Sequence, residues 1–137
     1  MILVSACLSG FCCTYNGKSH LKQKILDLAR NGKAIPVCPE QLGGLPTPRS
    51  PVEILNGRFL TKDGKDVTDN FRKGAEEVLR FAKNIGADCA VLKSNSPSCG
   101  FGKIYDGTFS GTKTDGNGIA AQMLFDNGIK IISSDDF

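Results

Sequence analysis

The feature that most constrains the fold is the alternation of short apolar runs with longer segments whose apolar residues recur at helical spacing. Four runs predict strands, at residues 2–4, 34–37, 89–92 and 130–132. Three segments between them predict amphipathic helices, at residues 21–29, 71–85 and 119–124. Strands that alternate with helices indicate a mainly parallel sheet flanked by helices. The sequence therefore predicts a single-domain α/β protein of Rossmann-like type over residues 1–137.

Turn signals predict one smaller element besides this sheet, a β-hairpin. Asn56-Gly57 separates residues 53–55 from residues 58–60, a pattern that predicts a small β-hairpin insertion. Thr68 is predicted to be the N-cap of the helix that follows the hairpin.

The charge balance and the N-terminus exclude several classes of protein. The chain has 17 basic and 14 acidic residues, a net charge of +3, which is too small to indicate a nucleic-acid or membrane partner. The first residues, MILVSACLSG, lack the basic segment and long apolar stretch of a signal peptide. No window approaches the roughly 18 apolar residues of a membrane span. We therefore expect a cytoplasmic protein.

Three of the six cysteines follow predicted strands. Cys7 and Cys38 come just after the first two strands, and Cys99 lies in the loop after the third. Ligands of open parallel sheets bind at the carboxyl ends of the strands, so these thiols are expected to converge. Cysteines of a reducing compartment are more often metal-binding or catalytic than disulfide-bonded, and thiolates select zinc, copper(I) or iron–sulfur clusters. Three thiolates leave a fourth metal position open, as a catalytic centre requires.

The other cysteines and the one histidine carry weaker signals. Cys89 lies inside an apolar strand and is expected to be a core residue. Cys12 and Cys13 are undecided, and Cys13 is either a spare ligand or a thiol that relays sulfur. His20 stands among lysines and is expected on the solvated surface.

Glu40 stands two residues after Cys38, where a predicted strand has just ended. One interpretation is that its carboxylate caps a helix or forms a loop salt bridge, for example with Arg49. The other is that it acts as a general acid or base beside a metal. Both interpretations remain open from the sequence.

Other polar residues in these loops suggest a binding site. Ser96 and Ser98 are either turn formers or hydrogen-bond donors to substrate or cluster sulfur. Lys93 and Arg49 are candidates to orient an anionic group. Gly10 is a candidate for close approach of the backbone to a ligand.

Five segments together resemble the thiouracil desulfidase family. They are SACLSGFCCTYNGK, PVCPEQLGGLPTPRSPVEI, KDGKDVTDNF, LKSNSPSCGFGKIYDGTFSG and GNGIAA, and they extend over nearly the whole chain. The resemblance is to the short, single-domain form of the family. In the first loop the family commonly reads Cys-Arg-Tyr-Asp-Gly, whereas this chain has Thr14 and Asn16 at the charged positions. That difference bears on substrate choice more than on the cofactor.

The resemblance implies a cofactor and a reaction. A 4Fe-4S cluster would be held by three cysteines, matched here by Cys7, Cys38 and Cys99, with one open iron to receive the sulfur of the substrate. The implied reaction is non-redox: a small thiolated base or nucleoside reacts with water to give the oxo-pyrimidine and sulfide. Glu40 matches the acid/base residue, and a serine of the SPSC stretch, Ser98 or Ser96, would assist. Dioxygen attacks an exposed cluster, so protein isolated in air is expected to lack it.

Two other classes of function are consistent with the cysteines. The protein could be a non-enzymatic sulfur or cluster carrier, with persulfide on Cys12 or Cys13. It could also be a structural zinc protein, with Cys13 as the fourth ligand that such a site requires.

Overall fold

The predicted parallel sheet is confirmed. The structure, a computed structural model, describes residues 1–137. Four parallel strands form the main sheet in the order β2-β1-β5-β8, with bounds Ala34–Val37, Ile2–Ser5, Cys89–Leu92 and Lys130–Ser133. The helices are α1 (Gln23–Arg30), α2 (Pro39–Leu42), α3 (Thr68–Asn84) and α4 (Ile119–Asp126). None of them combines the length and apolarity needed to cross a bilayer.

Helices cover both faces of the sheet because successive strand residues point to opposite sides. Leu3 packs in a core with Val78 of α3 and Leu124 of α4. Its neighbour Val4 packs on the other face, with Ile25 of α1. Each such side chain contributes roughly 1.5–3 kcal/mol on burial, so the two cores fix the sheet between the helices.

The predicted hairpin is also present. Strands β3 (Val52–Leu55) and β4 (Arg58–Thr61) pair in antiparallel fashion. Both turn residues have positive φ, 51° at Asn56 and 75° at Gly57, as a two-residue type I′ turn requires. The ring of Phe59 stacks on that of Phe71 with centroids 4.8 Å apart, which fastens the hairpin to α3.

A second hairpin was not predicted. Strands β6 (Lys103–Tyr105) and β7 (Lys113–Asp115) pair in antiparallel fashion and flank a long turn. Together with the first hairpin it lies beside the carboxyl edge of the main sheet, because residues of both hairpins line the cavity described below.

Two sequence-based assignments are wrong in detail. Thr68 is the first residue of α3 rather than its N-cap, which is Val67, and the Val67 side chain makes no capping hydrogen bond. One residue earlier, the Asp66 carboxylate accepts hydrogen bonds from the Thr68 N–H (2.9 Å) and hydroxyl (2.6 Å), and so pairs one of the free N–H groups of the first turn. These bonds, and two from the Arg58 guanidinium, lower the pKa of Asp66 to about 2. Cys89 begins β5 at the amino edge of the sheet and is only half-buried, so it is not a core residue.

Candidate functional site

The structure brings the three strand-end cysteines to one cavity. The cavity has a volume of about 520 Å³ and lies at the carboxyl edge of the main sheet. Cys7 comes from the 3-10 turn after β1, Cys38 from the junction of β2 and α2, and Cys99 from the loop after β5. Since β1 lies between β2 and β5, the three thiols come from adjacent strands.

Cys13 is a fourth thiol in this cavity, and it is buried. The Cys38 sulfur lies 4.0 Å from the backbone oxygen of Cys13, and the two side chains are hydrogen-bonded to each other. Cys12, its neighbour in sequence, is exposed and does not line the cavity. The sequence could not distinguish these two cysteines, because both follow the first strand in the same loop.

The thiols differ in how readily they ionise. Burial raises the pKa of Cys7 to about 11 and that of Cys99 to about 12. The pKa of Cys38 is lowered to about 6, chiefly because the Cys13 thiol donates a hydrogen bond to it, while the pKa of Cys13 is raised. Among these four thiols, Cys38 is therefore the one whose thiolate form is favoured by its surroundings.

This donor set fits a thiolate-bound metal cluster better than a single ion. Thiols of three separate loops line one cavity, with Cys7 and Cys99 buried and Cys38 half-buried, and soft thiolates are the ligands of iron–sulfur clusters. No group of three or more Cys, His, Asp or Glu side chains surrounds one point as the ligands of a single ion do.

Glu40 lies in the first turn of α2 and connects two loops of the site. Its Oε1 accepts a hydrogen bond from Arg49 Nε at 2.9 Å, and its Oε2 accepts one from Ser98 Oγ at 2.9 Å. The side chains of Arg49 and Glu40 are only 7% and 14% exposed. The salt bridge with Arg49, one of the two interpretations of Glu40 left open by the sequence, is therefore present, and the carboxylate also reaches the loop of Cys99.

Arg49 is held by more than this ion pair. Its guanidinium also donates to the backbone oxygen of Cys13 (2.8 Å), to Thr47 Oγ1 (2.8 Å) and to the Pro46 carbonyl (3.1 Å). With the bond to Glu40, these contacts use four of the five N–H groups of the guanidinium, so in this structure it braces the site rather than presenting a free cation.

The two serines differ in their contacts. Ser98 Oγ lies 2.9 Å from the Glu40 carboxylate and 3.7 Å from the Cys99 sulfur. Ser96 Oγ accepts hydrogen bonds from the N–H groups of Ser98 (3.1 Å) and Cys99 (3.0 Å), as a turn former does. Ser98 therefore links the carboxylate to a thiol, and Ser96 shapes the loop.

Lys93 lines the cavity and Gly10 does not. The Lys93 ammonium donates to Ser94 Oγ at 3.1 Å, and its charge partly offsets the rise in the pKa of Cys7. Gly10 ends the 3-10 turn of Cys7 with φ of 107° and is exposed, so its positive φ serves the chain reversal.

Close packing of α2 against α3 fixes the position of Glu40. A Cβ at Gly74 of α3 would lie 1.8 Å from the Pro39 carbonyl oxygen, and one at Gly43 would lie 2.0 Å from that of Asn70. Asn70 Nδ2 also donates to the Gly43 carbonyl at 2.9 Å. The two glycines let the helix backbones meet, which seats the carboxylate against the cavity.

Sequence reasoning missed several residues of the cavity wall. His20 is exposed, as expected, yet it lines the cavity and its backbone N–H donates to the Cys7 carbonyl at 2.9 Å. Ser5 Oγ accepts from the Lys93 N–H at 2.9 Å and its side chain is hydrogen-bonded to Cys99. The two hairpins contribute Glu53 and Phe109. Only Ser5, at the end of a predicted strand, carried a positional signal in the sequence.

Comparisons with known proteins agree with this architecture. The chain is 45% identical to the uncharacterized protein YbbK of Bacillus subtilis (strain 168), covering 99% of this chain and 97% of that protein. It superposes with a TM-score of 0.93 on the 4Fe-4S-dependent thiouracil desulfidase TudS (DUF523Vcz), at 42% identity, covering 98% of this chain and 90% of that one. The family model for 2-thiouracil desulfurase matches residues 2–136. This match extends over nearly the whole chain, including the loops whose cysteines line the cavity at the sheet edge. The protein therefore belongs to the 2-thiouracil desulfurase family.

Proposed function

We propose that this protein removes the sulfur of a thiolated pyrimidine and replaces it with oxygen from water. In this reaction the carbon–sulfur bond breaks, a carbon–oxygen bond forms, and sulfide leaves with the protons of the water. No electrons are gained or lost. The observation that carries the proposal is the cavity lined by cysteines from three strand ends and by a carboxylate that is hydrogen-bonded to a serine. The 42% identity to a 4Fe-4S-dependent thiouracil desulfidase supports it.

Cys7, Cys38 and Cys99 are proposed to hold a 4Fe-4S cluster, because they end three adjacent strands and line one cavity. When bound, the cluster supplies a soft metal site that accepts the sulfur of the substrate. Cys13 donates a hydrogen bond to Cys38. We assign Cys13 to the surroundings of that ligand, where hydrogen bonds to sulfur tune a metal site.

Glu40 and Ser98 are proposed to move the protons. The Ser98 hydroxyl donates to the Glu40 carboxylate (2.9 Å) and lies 3.7 Å from the Cys99 sulfur. A proton that Glu40 takes from water is passed to the Ser98 oxygen, while the hydrogen of Ser98 turns away from Glu40 towards the end of the cavity where sulfide leaves. Arg49 balances the carboxylate charge and fixes its orientation. A positioned acid or base typically contributes about 10²- to 10⁴-fold to the rate.

The rest of the cavity is proposed to accept a small thiolated base or nucleoside. Ser96 holds the loop that presents Ser98, and Lys93 places a positive charge near Cys7, where it stabilises negative charge that develops on sulfur or oxygen.

The test is sulfide release from thiouracil and thiouridine by protein reconstituted anaerobically with iron and sulfide. We expect a Glu40→Gln variant to take up iron normally and to lose about 10²-fold or more of its turnover. The matched control is Glu76→Gln, because Glu76 is exposed on α3 and lies outside the cavity. Iron-loaded wild-type protein that releases no sulfide would instead favour the carrier function.

A further inference from the structure

Phe109 lines the cavity with its backbone in a conformation that bulky residues avoid. Its φ is 55°, in the left-handed region, where a residue other than glycine, asparagine or aspartate is strained. The residue lies in the turn between β6 and β7, and a bridge between Ile104 of β6 and Asn95 joins this hairpin to the loop that carries Cys99. A strained aromatic residue is therefore held beside the predicted metal-binding loop.

Glu53 of β3 holds this turn in place. One oxygen of its carboxylate, Oε1, accepts hydrogen bonds from the N–H groups of Gly107 (3.0 Å) and Phe109 (3.1 Å). Gly107 lies so close to β3 that a Cβ there would be 2.7 Å from the Ile54 carbonyl oxygen. The two hairpins are thus joined at the cavity wall, and the left-handed backbone of Phe109 is imposed by contacts outside its own turn.

The other aromatic residues of the cavity are placed differently. Tyr15 is 48% exposed in the first loop. The ring of Tyr105 already has the Lys113 ammonium over it, 5.9 Å from the ring centroid. Phe109 is half-buried, carries no polar group that needs a partner, and is fixed through its backbone.

We infer that Phe109 is the aromatic surface on which the pyrimidine ring of the substrate stacks, and that Glu53 is the positioning residue that presents it. The inference rests on the proposed function and adds a residue that determines how the substrate binds. Pyrimidine rings stack on aromatic side chains whatever their substituents, and a fixed platform sets the plane of the ring at little cost in conformational entropy. When the pyrimidine ring is held in one plane, its thiocarbonyl carbon and sulfur point towards one end of the cavity. A reaction with catalytic groups at fixed positions requires such an orientation.

The experiment measures the affinity of iron-loaded protein for uracil, the product of thiouracil, by anaerobic titration calorimetry, together with KM and kcat for thiouracil. Loss of base stacking weakens binding roughly five- to hundredfold. We expect Phe109→Leu, which keeps an apolar side chain, to raise the Kd of uracil and the KM of thiouracil by such a factor, with a smaller change in kcat. The matched control is Phe125→Leu: Phe125 is exposed on α4 and does not line the cavity, so its variant should bind as wild type does.

The role of Glu53 is tested by a double-mutant cycle. Glu53→Ala should weaken uracil binding although Phe109 is intact. The double variant Glu53→Ala/Phe109→Leu should bind uracil no more weakly than Phe109→Leu alone, because either change removes the same stacking surface. A merely structural Glu53 would give additive losses, and that result would overturn its positioning role. Unchanged Kd and KM in Phe109→Leu would overturn the inference while leaving the proposed function standing. Wild-type protein that neither binds uracil nor releases sulfide would overturn both.

Discussion

Replacing Arg49 with methionine is expected to destabilise the protein by about 3–5 kcal/mol. Arg49 and Glu40 form an ion pair at 2.9 Å whose side chains are only 7% and 14% exposed. Removing one partner of a buried pair costs about 3–5 kcal/mol because the remaining charge stays buried without compensation. The change also leaves the Cys13 carbonyl without the donor that it has at 2.8 Å, while the methionine fills much of the arginine stem volume.

The assay is urea denaturation of iron-free protein under reducing conditions, followed by far-ultraviolet circular dichroism, with thermal melting as a second measurement. A loss of this size corresponds to a fall of roughly 10–20 °C in Tm for a chain of this length. The control is Arg58→Met, which breaks an ion pair with Asp66 whose side chains are 66% and 38% exposed. Exposed pairs contribute about 0–1 kcal/mol, so the control should change stability little.

A double variant, Glu40→Gln/Arg49→Met, separates the cost of the unpaired charge from the loss of arginine contacts. Because it removes the orphaned carboxylate charge, we expect it to be more stable than Arg49→Met alone. The reasoning would be refuted if Arg49→Met and Arg58→Met were equally mild, or if the double variant were less stable than the single one.

Three further predictions concern other parts of the structure. Alanine at any one of three cysteines should abolish iron retention, measured by iron analysis and visible absorbance; these are Cys7, Cys38 and Cys99. Cys89→Ala, at the opposite edge of the sheet, should keep the iron; iron loss from this variant alone would contradict the assignment. Gly74→Ala should lower the free energy of unfolding by about 1–3 kcal/mol or more, because the added Cβ would lie 1.8 Å from the Pro39 carbonyl oxygen. The control, Lys73→Ala on the exposed face of α3, should lower it by less than about 0.5 kcal/mol. The pKa of Asp66 is lowered to about 2, so the ionised carboxylate stabilises the start of α3 at neutral pH, and this stabilisation fades as the pH falls from about 4 to 2. Asp66→Asn should therefore have a lower urea midpoint than the wild type at pH 7, and the two midpoints should become equal near pH 2.

The sequence was sufficient for the sheet and for the first hairpin because both have strong local signals. Buried parallel strands such as β1 and β5 are continuous apolar runs, and Asn56-Gly57 suits a turn with two positive φ values. The second hairpin gives no such signal: the strand residues Lys113–Asp115 are all exposed and polar, and pairing across a long turn creates no apolar alternation. The N-cap of α3 is Val67, one residue before the predicted Thr68, because the Asp66 carboxylate holds the Thr68 N–H and hydroxyl at the start of the helix, and only three-dimensional contacts reveal this.

The candidate site was predictable to the extent that it follows from topology. Parallel strands end at one edge, so the convergence of Cys7, Cys38 and Cys99 could be expected before any coordinates, although their roles stay predictions. The burial of Cys13 could not be expected, because it depends on how the first loop folds back beneath Arg49. The exclusion of Gly10 from the cavity likewise depends on the 3-10 turn that follows β1.

The origin of the three cysteines in three adjacent strands has a consequence for how the protein matures. No continuous fragment shorter than most of the chain contains all three, so the site exists only after β2, β1 and β5 have assembled. With the proposed ligation by these three cysteines, metal loading follows the assembly of the three strands, unlike in proteins whose ligands lie within one short loop. A cofactor that binds only the assembled sheet also opposes its unfolding by mass action, and its loss would loosen three loops at once. The iron-free and iron-loaded proteins should accordingly differ most in amide hydrogen exchange at the carboxyl ends of these strands, and least at the amino edge where Cys89 lies.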